Sequence, residues 1–275
     1  MRRPRRITAA LLRAWPLPQP DADGDKESRG RVLVVAGSDE TPGAAILAAN
    51  GAFRAGAGKV QVATSAGAMT SVAQVVPEAR VTRFAASSVA RDVDAAVVGP
   101  GMDRSTGLLR YVTKQTMPLV IDAAALHALD APWRGGPAIV TPHAGEMAGL
   151  LDGDKAAIER HPDAVAIAFA RDRGVVVVLK GAVTYVAEPE GGLWTHEHGN
   201  VGLAVSGSGD VLAGVIGGLL ARGCNCAQAA AWGVALHARA GARMVARHGP
   251  LGGLPRELPD YIPREMNALA AASKR

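Results

Sequence analysis

A chain of 275 residues with 48 % hydrophobic residues can bury a sizeable core, and aromatics at 4 % leave that core to Ala, Val, Leu and Ile. No apolar run reaches the roughly 20 residues of a membrane span, and Ile7–Leu12 is too short for a signal-peptide core, so no membrane association is expected. The net charge of +5 is concentrated in Arg2, Arg3, Arg5, Arg6 and Arg13, a solvated arm without the basic–aromatic pattern of a nucleic-acid surface.

Residues 1–30 read as a polar, proline-rich and partly flexible lead-in with one short helix near Thr8–Ala14, and residues 31–275 read as a single domain. Arg31–Ala36 is a continuous apolar run, the pattern of a strand buried on both faces of a parallel sheet. A turn-rich loop over Gly37–Gly43 leads to a helix at Ala44–Ala55, then a strand at Lys59–Ala63 and a helix near Ala66–Val75. The rhythm repeats. Strand Asp94–Val98 ends in Gly99-Pro100-Gly101, and a helix is predicted at Ser105–Thr116. Strand Pro118–Ile121 ends on Asp122 and is followed by a short helix at Ala123–Leu129. Strand Ala138–Val140 ends in Thr141-Pro142-His143-Ala144-Gly145-Glu146, which opens another helix. Strand Val175–Leu179 ends in Lys180-Gly181, strand Val183–Ala187 follows, and Gly191-Gly192 signals a hairpin. Helices at Asp210–Arg222, Ala227–Arg247 and Pro263–Ala272 complete the chain. Cys224 and Cys226 are too closely spaced for a zinc site or an easy mutual disulfide and read as reduced, cytoplasmic thiols. Strands alternating with helices give an α/β, three-layer αβα sandwich with a mostly parallel central sheet.

The segment Gly199–Gly214 carries the chemistry. Ser206-Gly207-Ser208-Gly209 bends tightly just before a helix, so Gly207, Ser208 and Gly209 offer backbone N–H groups and the positive end of a helix dipole to an anion. Asp210, in the first turn, is expected to be held ionised by that dipole and to serve as a general base for a substrate hydroxyl. In open α/β sheets ligands bind beyond the carboxyl ends of the strands, and here Gly37-Ser38, Gly99–Gly101, Asp122, Thr141–His143 and Lys180-Gly181 all fall there. His143 and Glu146 are too few to hold a metal, and no protein metal site is assigned. His143 is read as a substrate contact, and Lys180 either as a solvated strand end or as a nucleotide contact. His127, His161, His196, His198, His237 and His248 show no ligand spacing and are read as structural or surface residues.

These residues resemble the ADP-dependent NAD(P)H-hydrate dehydratases of the ribokinase-like superfamily. The resemblance runs from Arg31 to His237 and rests on Ala36-Gly-Ser, Pro42–Ala48, Arg54–Val60, Val98–Gly101, Ile139–Glu146, Val178–Gly181 and Gly199–Gly214. It implies dehydration of the S epimer of NAD(P)HX, the hydrated form of NADH or NADPH, with ADP as co-substrate converted to AMP and phosphate. Asp210 would act on the ring hydroxyl. Ala44, Ala45, Gly101, His143 and Asp210 would shape the dinucleotide pocket, and Lys180, Gly181, Ala182, Val183, Thr184 and Gly209 would hold the adenine nucleotide. The resemblance also implies Mg²⁺ carried on nucleotide oxygens, a homo-oligomer, tetrameric or larger, and a separate epimerase in the pathway. Where many relatives have Asp-Ala-Asp, this chain has Asp122-Ala123-Ala124, so Asp122 receives no catalytic role, and His-Ala-Gly-Glu replaces the commoner His-Pro-Gly-Glu. An ATP-dependent kinase of a vitamin precursor or sugar would use the same Gly-Ser-Gly-Asp arrangement. A nucleotide-binding protein without catalysis is the other alternative.

Overall fold

The computed structural model describes residues 4–20, 23–85, 92–103, 112, 114–129, 132–197 and 200–271. Most of the predicted helix at 105–116, together with Arg2, Arg3, His198 and Gly199, lies outside them.

Among the described residues ten strands form one sheet: β1 (Arg5–Arg6), β2 (Arg31–Val35), β3 (Lys59–Thr64), β4 (Arg80–Arg83), β5 (Ala95–Val98), β6 (Leu119–Ile121), β7 (Ala138–Val140), β8 (Val176–Leu179), β9 (Thr184–Ala187) and β10 (Leu193–His196). Their spatial order is β1-β10-β9-β8-β7-β6-β5-β2-β3-β4. From β4 to β8 every pairing is parallel; β9 runs antiparallel to both β8 and β10. The Gly191-Gly192 signal is thus realised as the β9–β10 hairpin.

Side-chain alternation divides β2 between two cores. Val32 and Val34 face one, Leu33 and Val35 the other, and all four are buried. The first core is covered by α1 (Ala9–Ala14), α2 (Pro42–Arg54), α3 (Met69–Val75), α7 (Ser208–Ala221), α8 (Cys226–His248) and α9 (Leu258–Ala271). The second is covered by α4 (Ala144–Leu150), α5 (Lys155–Arg160), α6 (Pro162–Arg173) and a 3₁₀ turn at Ala123–Ala128. The result is the expected αβα sandwich.

Several boundaries move. The helix predicted from Ala44 begins at Pro42, whose fixed φ suits a first helical position, so Pro42 and Gly43 lie in the helix rather than in the loop before it. The last helix starts at Leu258, ahead of the predicted Pro263, which the helix carries inside it. Arg5 and Arg6, read as part of a solvated arm, pair in parallel with Trp194 and Thr195 at the sheet edge; Arg5 stacks over Trp194 and Arg6 pairs with Glu197. Further along, Leu12 is buried, and the Trp15 carbonyl accepts from the Trp232 indole at 2.8 Å.

Candidate active site

The carboxyl ends of β2, β5, β6, β7 and β8 open on one side of the sheet, and α7 starts there. Gly207, at φ 95°, turns the chain into α7 in the left-handed region that favours glycine. In the first turn of a helix the N–H groups have no preceding carbonyl to bind. That of Ser208 bonds the Val205 carbonyl at 3.2 Å, which leaves Gly209 and Asp210 to present theirs to an anion.

A compact charge network faces this cradle. Lys180, at the end of β8, reaches Asp122 Oδ1 at 3.1 Å and Glu146 Oε2 at 3.8 Å. Its backbone N–H bonds the Pro142 carbonyl at 2.8 Å, and it bridges in parallel to His143, so the residue is fixed at both ends. A Cβ on Gly209 would come 3.3 Å from Lys180 Nζ, which places the ammonium against the mouth of the cradle. Asp122, almost fully buried, also accepts from Thr141 Oγ1 at 2.6 Å. Burial works against the Lys180 charge, but Asp122, Glu146 and Asp210 together hold its pKa above the ordinary value.

Asp210 behaves otherwise than its position in the helix suggests. Burial, with repulsion from Asp122 and Glu146 added, pushes its carboxyl up to about 7 against the opposing pull of Lys180. The expectation that the dipole holds it ionised is therefore corrected: desolvation and two neighbouring carboxylates outweigh a terminal partial charge worth at most about 2 kcal/mol. A carboxyl poised near neutrality matches what a general base at physiological pH requires.

The other predicted residues fall into two groups. A cleft of about 790 Å³ is lined by His143, Lys180, Gly181, Ala182, Thr184, Ser208 and Gly209, with Leu203, Leu212 and Val234 as apolar walls. Val183 is not part of that lining. Ala44, Ala45 and Gly101 are not part of that lining: a Cβ on Gly101 would meet Ala44 Cβ at 2.5 Å, and the Gly101 carbonyl accepts from Thr41 Oγ1 at 2.7 Å. Ala45 is fully buried, and a Cβ on Gly37 would come 3.1 Å from its own Cβ. His143 caps α4: its Nδ1 accepts from the N–H groups of Gly145 and Glu146 at 3.0 and 3.1 Å, while Glu146 accepts from the His143 N–H at 2.8 Å. Two features were not legible beforehand. Asp122 is the counter-ion of Lys180, and His196 and His237 both line the cleft.

A family profile described as NAD(P)H-hydrate dehydratase matches residues 32–264. The chain belongs to this family. It is 47 % identical to the ADP-dependent (S)-NAD(P)H-hydrate dehydratase of Xanthomonas campestris, over 97 % of this chain and 98 % of that protein. A bifunctional NAD(P)H-hydrate repair enzyme of Moorella thermoacetica is 36 % identical, but the chain spans only 53 % of its length. Among solved structures, the ADP/ATP-dependent dehydratase of Bacillus subtilis, co-crystallised with ATP and Mg²⁺, superposes with a TM-score of 0.90 at 32 % identity, covering 96 % of this chain and 98 % of that one. A ribokinase-like superfamily protein of Enterococcus faecalis gives 0.83 at 25 % identity over 97 % and 96 %. The fold is ribokinase-like. A hydroxyethylthiazole kinase at 18 % identity and a TM-score of 0.60 shares the fold alone, so the likeness to kinases carries no kinase activity with it.

Proposed function

We propose that the protein dehydrates the S epimer of NAD(P)HX to NADH or NADPH, consuming ADP and releasing AMP and phosphate. The observation that carries this reading is Asp210, a carboxyl raised to about 7 in the first turn of a helix that opens on the left-handed Gly207, beside the Lys180 ammonium. Asp210 removes the proton of the ring hydroxyl while that oxygen attacks the terminal phosphorus of ADP and AMP departs. The N–H groups of Gly209 and Asp210, with Lys180 beside them, stabilise charge on the phosphoryl group as it moves. The C–O bond of the resulting ester then breaks, driven by the ring nitrogen lone pair; phosphate leaves, and loss of a proton from the adjacent carbon restores the reduced ring. Lys180 to Thr184 and Gly209 hold the nucleotide, and Ala44, Ala45, Gly101 and His143 form the dinucleotide side.

Asp122 and Glu146 are engaged by Lys180, so Mg²⁺ is assigned to phosphate oxygens and water, its usual ligands at nucleotide sites, where it supplies further charge neutralisation. The test is direct: AMP formed from ADP in the presence of hydrated NADH should match the reduced cofactor recovered, and AMP without recovery contradicts the reading.

Two kinetic consequences follow from the charges. kcat/KM reports ionisations of the free enzyme, so it should fall about tenfold per pH unit below the Asp210 value of about 7 and level off above it. Lys180→Met removes a group that lowers the Asp210 pKa, so the acidic limb should move to higher pH. A limb that stays in place in this variant would show that Lys180 does not tune the base.

No helix among the described residues is long and apolar enough to cross a membrane. Burial pushes the Cys224 and Cys226 thiols up to about 12 and about 11, which suits free cysteines in a reducing cytoplasm. Assembly into a homo-oligomer is supported by four exposed apolar residues on abutting segments, Val201 and Val205, which also line the cleft, and Leu251 and Leu254; a Cβ on Gly202 would lie 3.2 Å from the Pro250 carbonyl.

A further inference from the structure

The start of α7 rests against a histidine that the reaction above does not use. His237 projects from α8 into the cleft wall, is buried, and holds its Nε2 3.0 Å from Ser208 Oγ and 3.0 Å from the Ser208 carbonyl oxygen. A carbonyl oxygen only accepts, so a bare Nε2 at that distance would set lone pair against lone pair; Nε2 therefore carries the proton. Burial pushes the ring down to about 4, so at neutral pH this is its single proton. The Ser208 hydroxyl oxygen shares the same N–H and can only accept from it. Its own proton is consequently not spent on the histidine. The Ser208 backbone N–H is already engaged by Val205, which leaves the hydroxyl as the donor this residue can offer to the cleft it lines.

We propose that His237 is a positioning residue that orients the Ser208 hydroxyl to donate a hydrogen bond to the terminal phosphate of the bound nucleoside diphosphate. The hydroxyl adds a side-chain donor to the Gly209 and Asp210 N–H groups, and His237 determines which way it points. This rests on the nucleotide reading of the cleft. A histidine that merely pins α8 to α7 would stabilise the fold and leave phosphate recognition alone.

The experiment compares Ser208→Ala, His237→Leu, His237→Gln and the Ser208→Ala/His237→Leu pair by calorimetric titration with ADP and with AMP, alongside kcat, KM and thermal stability. Loss of one hydrogen bond to a charged group predicts ADP binding weakened about tenfold in Ser208→Ala and in His237→Leu, with AMP binding little changed. The double variant should be no weaker than either single one, because both remove the same donor. Glutamine keeps an N–H in place of Nε2–H, so His237→Gln should recover most of the ADP affinity and kcat. Equal losses for ADP and AMP, additive effects in the double variant, or a change confined to thermal stability would overturn the proposal. Ser208→Ala removes no core packing, so its ADP-against-AMP split decides the matter even where His237→Leu folds poorly. Failure of the unaltered protein to bind ADP at all would instead strike the nucleotide reading on which the proposal stands.

Discussion

Asp210→Asn should lower turnover about 100- to 10,000-fold while leaving ADP binding nearly intact. Asparagine keeps the shape of the side chain and the N–H groups of the first turn, but it cannot accept the hydroxyl proton. The same substitution should raise stability at alkaline pH, and the sign follows from the ionisation. The folded-state pKa lies above the unfolded value of 3.8, near 7. Below pH 3.8 both states are protonated and the group contributes no difference. Between the two values the unfolded chain releases its proton and the folded one retains it, so stability declines as pH rises, and the decline levels off above about 7. Asparagine lacks this penalty. The melting-temperature advantage of Asp210→Asn should therefore grow from pH 4 to pH 8, while activity is lost throughout. Retention of activity within about threefold would remove Asp210 from the chemistry, since a general base typically contributes far more.

The second large effect is structural. Where α2 and α7 cross, glycines let the two backbones touch: a Cβ on Gly214 would sit 2.1 Å from the Ala48 carbonyl oxygen, one on Gly51 2.6 Å from that of Val211, and one on Gly218 2.5 Å from that of Ala52. These contacts are with backbone, which has no rotamer to give way. Gly214→Val should drive the helices apart and cost more than the ~1–3 kcal/mol typical of overpacking. That is a large part of a typical stability of about 5–15 kcal/mol. The crossing also fixes the site, because α7 carries Asp210 and α2 carries the Ala44 that meets Gly101. Urea unfolding should show a sharply reduced midpoint or no cooperative transition. Gly149→Ala is the control: Gly149 lies in the last turn of α4, where a Cβ meets nothing within 4 Å and alanine should be tolerated. A Gly214→Val protein as stable as that control would refute the packing account.

The fold was legible wherever one residue type served one purpose over several positions. Runs such as Val32–Val35 and Val176–Leu179 announce strands buried on both faces, and their polar or glycine endings mark the ligand side of the sheet. Short or charged elements were not. Arg5 and Arg6 form a strand because β10 offers a free edge, which no local pattern reveals. The α5 and α6 helices lacked an apolar stripe strong enough to mark them; Asp154 capping Ala157 and the left-handed Gly174 at the end of α6 were the signals available. At the site, Asp210 and Lys180 stood out because glycines flank them. Asp122 was set aside because the second carboxylate common in relatives is alanine here, yet its ion pair with Lys180 depends only on β6 and β8 flanking β7. The Asp210 ionisation was misjudged for a related reason: the helix dipole is local in sequence, whereas burial and the carboxylates of Asp122 and Glu146 come from distant segments. His237, near the middle of the alanine-rich α8, is 29 residues from Ser208, and only the packing of α8 on α7 joins them.

The central claim is that the site couples ADP cleavage to dehydration of the nicotinamide ring. The most direct measurement follows the near-ultraviolet absorbance of the reduced nicotinamide while purified protein acts on hydrated NADH with Mg²⁺, with and without ADP. The account predicts a rise that requires ADP, yields one AMP per reduced cofactor and disappears in Asp210→Asn. Folded protein that gives no rise with ADP or ATP, or a rise that persists without any nucleotide, would contradict it.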